Sequence, residues 1–203
     1  MLSLTGCTKN TSNNIDNNTT IWNNEVVNQE ISEINNEWEN EEDTNTTQEP
    51  EKINGAYEYQ NKPYNFTIQI PNNWSFVENE HGFTVLVYTP EDWDIHENLW
   101  ITVQTPQIAT DLEDYYKDSM KRIDEISEGF KEIKTSDIEI NWLKGKSTIY
   151  ETIKNDTNVK SQQTVFIDNN NYVYILQYTA KKDTFDKYMD GVNTIIKSFK
   201  ILN

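Results

Sequence analysis

A run of acidic residues that includes one histidine, residues 91–98, contains side chains able to bind a metal ion. Asp92, Asp94 and His96 alternate along it, so they would lie on one side of an extended chain, with Glu97 next to them. Carboxylate oxygens favour calcium or manganese and imidazole favours zinc, so such a set could bind a divalent cation. The run has neither the turn glycine nor the distal glutamate of a calcium-binding loop, so we interpret it as a solvated, exposed acidic loop between two strands and keep the metal site as the alternative.

Aromatic residues lie in and around the same run. Trp93 is inside it, and Tyr88 and Trp100 are close on either side. Together these rings would form an aromatic platform for a sugar or a peptide. The alternative is that Trp100 belongs to the core, because it lies within an alternating apolar run that is typical of a strand.

Residues suited to nucleophilic catalysis are sparse. The chain has two histidines, His81 and His96, and one cysteine, Cys7, and neither histidine lies in a recognisable motif. Its six glycines form no phosphate-binding loop, and Arg122 is the only arginine. The many acidic residues offer accidental carboxylate pairs rather than a defined one. We therefore predict that the protein is not an enzyme and needs no cofactor.

The single cysteine lies in a motif near the amino terminus. Leu4-Thr5-Gly6-Cys7 resembles the lipobox of bacterial lipoproteins, in which small residues precede the cysteine that receives the lipid. The resemblance implies that residues 1–7 are the remnant of a signal peptide. It also implies that lipid on Cys7 anchors the protein to the cell membrane, facing the extracytoplasmic side. The alternative is an ordinary exposed thiol.

The charge of the chain is unevenly distributed. The formal net charge is −17, which argues against nucleic acid as a partner. Residues 1–56 carry 11 acidic residues against two lysines and are otherwise rich in Asn and Thr, which is a disordered composition. We therefore expect residues 8–56 to be a disordered acidic tether with a reach of roughly 40 Å. Residues 57–203 carry 23 acidic and 15 basic residues and form one globular domain.

One segment of the tether has a helical pattern. Its apolar residues recur at steps of three and four, namely Val27, Ile31, Ile34 and Trp38. This spacing favours a short amphipathic helix that could dock in a groove. The high density of acidic residues around it favours a solvated segment instead.

The globular domain shows a series of strand patterns separated by turn residues. Alternating or apolar runs predict strands at 64–71, 83–89, 99–105, 131–141, 146–154, 159–167 and 172–180. Turns are expected at Leu143-Lys144-Gly145, at residues 155–158 and at residues 168–171, where Gly and Asn accept positive φ. The last of these strands is apolar on both faces and is expected to be central in an antiparallel sheet.

Two helices complete the pattern. Thr110-Asp111-Leu112-Glu113 has the form of a capping box, and an amphipathic helix is expected from there to about Gly129. A second helix begins near Asp183, and Gly191 within it should allow close approach to the sheet. The sequence thus predicts an α+β fold with an antiparallel sheet of about six to seven strands covered by helices.

The order of these features resembles the PsbP-like domains, which have the Mog1/PsbP fold. The residues that carry the resemblance are Tyr64-x-Phe66-x-Ile68-x-Ile70-Pro71-x-x-Trp74, the long middle helix, Leu143-x-Gly145, paired strands and a closing Ser198-Phe199-Lys200. The resemblance covers about residues 57–203. It implies an α/β/α sandwich and members that act as extrinsic, non-catalytic binding or assembly factors, often within lipoproteins.

These features lead to one functional expectation and one alternative. We expect a membrane-anchored bacterial lipoprotein whose PsbP-like domain binds or helps to assemble another protein of the cell envelope, with no nucleic-acid partner. The alternative is an envelope receptor for a small ligand or a divalent metal, with Asp92, Asp94, His96 and Glu97 as its ligands. No role in photosynthesis is carried over from the family.

Overall fold

The computed structural model describes residues 52–53, 55–80, 82–90, 97–105 and 111–202. Its strands, in chain order, are β1 (Lys52–Ile53), β2 (Ala56–Asn61), β3 (Phe66–Pro71), β4 (Ser75–Glu78), β5 (Val85–Tyr88), β6 (Asn98–Gln104), β7 (Glu128–Ile140), β8 (Leu143–Lys154), β9 (Thr157–Ile167), β10 (Val173–Lys181) and β11 (Lys200–Ile201). The helices are α1 (Leu112–Ile126) and α2 (Met189–Ser198), and a 3-10 turn (Phe185–Tyr188) leads into α2.

The strands form two antiparallel sheets. The large sheet has seven strands in the order β4-β5-β6-β10-β9-β8-β7, and the small sheet has four in the order β1-β2-β3-β11. The predicted central position of the 172–180 strand is confirmed, because β10 pairs with β6 on one side and β9 on the other. The predicted fold class, an antiparallel sheet covered by helices, is also confirmed.

The two faces of the large sheet are covered differently. Helix α1 covers one face, where Leu112 and Tyr115 pack against a cluster that contains Val173 and Ile175 of β10. Helix α2 and the small sheet cover the other face, where Leu176 and Tyr178 of β10 enter the main core. One layer therefore covers each face of the large sheet, and burial of apolar area on both faces is the dominant stabilising contribution.

The start of α1 differs from the predicted capping box. Asp111, not Thr110, is the N-cap, and its carboxylate accepts a hydrogen bond from the Glu113 amide at 2.8 Å. An aspartate in this position satisfies an otherwise unpaired amide and also interacts favourably with the helix dipole. Thr110 lies outside the described residues, and the helix ends at Ile126 instead of near Gly129.

The predicted turn at Leu143-Lys144-Gly145 is wrong. The turn between β7 and β8 is Asn141-Trp142, with φ of 50° and 68°, and Leu143 is already the first residue of β8. Gly145 lies within β8, where a Cβ atom would overlap the Phe166 ring, so this glycine serves close packing. The turns after β8 and β9 lie within their predicted ranges, with left-handed backbone at Asn155, Asp156 and Asn171.

The small sheet extends beyond what the sequence patterns indicated. Strands β1, β2 and β11 match no predicted strand, and β1 and the first residue of β2 precede residue 57. Strand β11 has only two residues and pairs with β3 through Lys200 and Thr67, and through Ile201 and Phe66. It joins the carboxyl end of α2 to the small sheet.

Gly191 permits a close approach, as predicted, but to Trp74 in the turn between β3 and β4 and not to a strand. Gly191 lies in the first turns of α2, and a Cβ atom built on it would overlap the buried ring of Trp74. The ring in turn meets Tyr188 edge-on, with 6.1 Å between centroids. The missing Cβ therefore lets α2 lie directly on the indole.

We expect Gly191→Ala to destabilise the protein, although alanine in an exposed helix position would stabilise it by about 1 kcal/mol. Overpacking against Trp74 costs about 1–3 kcal/mol and outweighs that gain. The measurement is the free energy of unfolding in urea. In a Trp74→Leu background the same substitution should become neutral or favourable, and an equal loss in both backgrounds would contradict the proposed contact.

Candidate functional site

The predicted metal ligands are only partly covered by the structure. Asp92, Asp94 and His96 lie outside the described residues, as does Cys7. Glu97 is described and is buried; its carboxylate accepts a hydrogen bond from the Thr184 hydroxyl, a contact directed into the fold. Among the residues that the structure describes, no three His, Cys, Asp or Glu side chains come together as a metal site.

The end of the acidic run is not exposed, contrary to expectation. Glu97 and Asn98 are both buried. The Glu97 carbonyl accepts hydrogen bonds from the Thr89 amide at 3.3 Å and the Thr89 hydroxyl at 3.1 Å. These contacts tie the start of β6 to the end of β5, so this part of the run continues the sheet.

Trp100 belongs to the core and is not part of an exposed aromatic platform. Its indole is buried and stacks on Phe83, with 5.0 Å between ring centroids and 29° between planes. Tyr88 is half-buried, and burial, together with the nearby negative charge of Glu80, raises the pKa of its phenol to about 12. Trp93 lies outside the described residues.

Exposed apolar residues gather around one strand. In the described ranges the large hydrophobic side chains that are exposed are Ile126 (38%), Ile133 (45%) and Trp142 (93%). Ile126 ends the helix that precedes β7, Ile133 lies within β7, and Trp142 follows it in the turn. Ile133 and Trp142 are separated by roughly 30 Å of extended strand, so Trp142, which is almost fully exposed, is considered on its own, and exposed tryptophan is typical of interface hot spots. We therefore take the outer edge of β7 and the turn at its end as the candidate site.

Trp142 is held in an unusual conformation at the tip of the β7–β8 hairpin. A turn with two left-handed residues normally uses Asn-Gly, because a bulky residue with positive φ is strained. Asn141 fixes this turn by donating a hydrogen bond from Nδ2 to the Phe199 carbonyl at 2.8 Å. Phe199 is fully buried and stacks on Phe166 with 5.3 Å between centroids. The backbone of the tip is thus attached to the core while the indole points into solvent.

The outer edge of β7 differs along its length. Strand β7 has 13 residues and pairs with β8, and within the described chain nothing pairs with its other side. Bulges interrupt the register between Glu128 and Lys131 and between Glu132 and Lys134. Bulges twist an edge and hinder pairing with other chains. From Thr135 to Ile140 the register is regular, so this half has no such protection.

The two faces of the regular half have different chemistry. Asp137 and Glu139 are exposed and lie opposite Lys146 and Lys144 of β8, on the face that α1 covers. Ile138 and Ile140 point to the other face and pack, half-buried, against the main core. The strand therefore presents acidic side chains on one face and apolar side chains on the other.

Helix α1 positions this edge through an ionic contact. Lys146 Nζ lies 2.9 Å from carboxylate oxygens of both Asp137 and Glu113, the latter in the first turn of α1. The hydrogen bonds that Lys146 donates to these two carboxylates raise the pKa of its ammonium group. The hydrogen bond from Lys146 lowers the pKa of Glu113. Lys146 stays charged at any physiological pH and bridges two acids with one positive charge.

A chain of hydrogen-bonded hydroxyl groups also holds β7 in position against α1 and β8. Tyr116 of α1 and Thr135 of β7 share a hydrogen bond of 2.8 Å, and Thr135 and Thr148 of β8 share one of 3.0 Å. The helix, the edge strand and its neighbour are thus joined by short polar contacts at the point where the regular half of β7 begins. The edge is held in place before any partner binds.

Sequence reasoning missed this site for a definable reason. Gly145 suggests a turn at residues 143–145, and the strand pattern ends at residue 141, so Trp142 falls between the two and is not recognised as part of the hairpin tip. The sequence signal for this turn is Asn141, because Asn is typical of the first position of a two-residue hairpin turn. The exposure of Trp142 depends on the position of the turn in the folded chain.

The seven-stranded antiparallel sheet, with α1 on one face and α2 and the small sheet on the other, defines a PsbP-like α+β domain. It is similar to cyanobacterial PsbP from Synechocystis sp. PCC 6803, with 16% identity, a TM-score of 0.55, and 74% of this chain and 94% of that chain covered. The match of residues 67–198 to the DcrB family extends over most of the domain. The chain belongs to the DcrB family.

Two further solved structures share the fold. LpqN of Mycobacterium tuberculosis, described as involved in cell envelope biogenesis, matches with 14% identity and a TM-score of 0.58, over 73% of this chain and 91% of that chain. The Ran-binding protein Mog1p of Saccharomyces cerevisiae matches with 8% identity and a TM-score of 0.50, over 73% and 96%. At these identities the likeness shows the fold alone.

Other comparisons add two findings. A search of the curated proteins by sequence finds no match. Within the described part of the chain, neither helix is long and apolar enough to cross a membrane. The family and the fold neighbours named above indicate no catalytic family.

We expect Trp142→Gly to leave the free energy of unfolding unchanged or to raise it by up to about 1 kcal/mol. The indole contributes little packing, and glycine relieves the positive φ. The contrasting variant is Asn141→Ala, which removes the hydrogen bond to Phe199 and should cost about 1–2 kcal/mol. Urea unfolding measures both, and a large loss of stability in Trp142→Gly would show that the tryptophan serves the fold.

Proposed function

We propose that this protein is a non-catalytic binding or assembly module of the bacterial cell envelope, anchored by lipid on Cys7, that binds another envelope protein through the β7–β8 hairpin tip. The observation that carries the proposal is Trp142, which is 93% exposed on a left-handed backbone fixed to the core. Strain of this kind persists where the surrounding structure enforces it, and it concentrates at functional sites.

The energetics of an exposed tryptophan favour a protein partner. An aromatic side chain buries about 150–250 Å² in an interface, which at about 25 cal/mol per Å² corresponds to roughly 4–6 kcal/mol of transfer free energy. Tryptophan is among the residues most enriched at interface hot spots. Because Asn141 fixes the turn, little conformational entropy of the backbone is lost when the tip binds.

The anchor and the tether support the same proposal. The lipobox-like Leu4-Thr5-Gly6-Cys7 provides the site of lipid attachment, and acyl chains on Cys7 would insert into the bilayer at about 0.8 kcal/mol per methylene. The acidic composition of residues 8–51, which precede β1, favours an extended tether through self-repulsion. Such a tether holds the domain within reach of neighbouring envelope proteins and away from anionic headgroups. The envelope-biogenesis description of LpqN fits this role.

The anchoring part of the proposal predicts that Cys7→Ala moves the full-length chain from the membrane fraction to the soluble fraction of the cells that produce it. The physical reason is that the cysteine sulfur is the point of lipid attachment. Cys7→Ser serves as a second variant with a similar expected result. Unchanged membrane association in both would contradict lipid anchoring on this residue and would leave the binding role of the domain to be judged separately.

The binding part predicts that envelope proteins crosslinked to the tethered wild-type chain are reduced about tenfold or more in Trp142→Gly. Trp142→Phe is the matched control, because it keeps an aromatic ring on the same turn and should retain most of the crosslinking. Quantitative mass spectrometry of the crosslinked proteins is the measurement. Equal recovery with the glycine and phenylalanine variants would exclude the tip as the binding site.

A further inference from the structure

We infer that the regular half of the β7 edge, Thr135 to Ile140, binds its partner by β-strand addition, and that the added strand alternates apolar and basic side chains. This inference rests on the proposed function and specifies the chemistry of the partner. In strand addition an extended segment pairs its backbone with an open sheet edge, and pockets or charges on the two faces select alternate side chains.

The backbone groups needed for strand addition can be identified from the hairpin register. In a two-residue hairpin the residues that flank the turn form a hydrogen-bonded pair, here Ile140 and Leu143. Hydrogen-bonded and non-hydrogen-bonded pairs then alternate along an antiparallel ladder. It follows that Thr135, Asp137 and Glu139 direct their N–H and C=O groups away from β8, toward the open edge. These three residues form the docking ladder.

The side chains on the two faces specify the partner. Residues directly opposite in neighbouring strands point to the same face, so the added strand would place alternate side chains beside Asp137 and Glu139 and the others beside Ile138 and Ile140. On the α1 face, Asp137 and Glu139 would be the side chains next to the added strand, whereas their counterparts Lys146 and Lys144 lie one strand further away, on β8. Basic side chains on that face and apolar side chains on the other complement the edge. The net negative charge of residues 57–203 attracts such a segment in solution.

A second copy of the chain fits the same edge poorly. If two β7 edges paired antiparallel about a two-fold axis, the face covered by α1 would continue from one copy to the other. Asp137 and Glu139 of each copy would then lie beside acidic residues of the other, and like charges opposite one another destabilise a sheet. The bulges between Glu128 and Lys134 would also interrupt a longer pairing. A partner strand of opposite charge avoids both problems.

Trp142 gives the added strand a defined end. It lies in the turn that follows Ile140, next to the last residue of the regular edge. A segment paired with the docking ladder would therefore reach the indole at one end, where an apolar or aromatic residue of the partner could pack on it. The N–H and C=O groups of the docking ladder would bind the backbone of the segment, and contact with Trp142 would fix the position of its end along the edge.

The test uses two synthetic peptides, one alternating valine and lysine and one alternating valine and glutamate, with the full-length chain. The valine-lysine peptide should bind about tenfold or more tightly than the valine-glutamate peptide, as measured by isothermal titration calorimetry at low salt. Equal affinities, or tighter binding of the acidic peptide, would overturn the inference. Concentration-dependent dimerisation in sedimentation experiments without peptide would favour a second copy instead.

The matched variants are Glu139→Pro and Glu139→Gln. Both remove the same charge, but proline also removes an outward N–H that takes no part in the β7–β8 ladder, a position where edge strands tolerate proline. We expect the valine-lysine peptide to bind Glu139→Pro about tenfold or more weakly than Glu139→Gln. Equal binding by the two variants would show that the peptide does not pair with the edge.

Hydrogen exchange provides a second readout that needs no variant. Saturation of the wild-type chain with the valine-lysine peptide should slow exchange of the Thr135, Asp137 and Glu139 amides about tenfold or more, while the Ser136 and Ile138 amides, already in the β8 ladder, change little. No protection at the outward amides would refute strand addition. If Glu139→Pro still crosslinks envelope proteins whereas Trp142→Gly does not, the tip binds a partner and strand addition is wrong.

Discussion

Burial of β10 on both faces is the constraint on which the rest of the fold depends. Tyr174, Leu176 and Tyr178 face one side and Val173 and Ile175 the other, and all are buried. A strand of this kind cannot lie at an edge or on a sheet with one open face, since its apolar groups would then contact water. The chain must therefore supply neighbours on both sides and a covering layer on each face. Helix α1 forms one layer, and α2 with the small sheet forms the other.

The elements that carry this constraint were predictable, because their apolar residues are periodic over many positions. The strands from β7 to β10 and both helices follow patterns long enough to be recognised one by one. The small sheet was not, since β1 and β11 have only two residues each. The signal before β2 is Asn54-Gly55, a typical hairpin turn, but it lies in the segment whose composition suggested disorder. Gly145 has the residue type of a turn but lies within β8. Its actual role, leaving space for Phe166, depends on a neighbour in another strand.

The candidate site was harder to predict than the fold, because its residues are defined by exposure and by what remains unpaired. Residue types suggested the acidic run around Asp92, yet Glu97 faces Thr184 inside the protein. Nothing in the residue type of Trp142 distinguishes it from Trp74 or Trp100, both of which are buried. The difference arises from the position of the turn, and hence from how Asn141 bonds to Phe199. Long-range contacts of this kind leave no periodic signal in a sequence.

Two local rules are broken at the same hairpin, and this coincidence is the strongest physical argument for function there. An Asn-Gly turn would be more stable than Asn141-Trp142, and a bulge or a proline would protect the edge after Thr135 as the bulges protect the part before Lys134. Sequences usually agree with their fold at every level, and departures concentrate where a protein acts. Helix α1, through Tyr116 and the Lys146 bridge, adds contacts that hold the unprotected edge in place. The structure thus stabilises an open edge and an exposed indole that folding alone does not need.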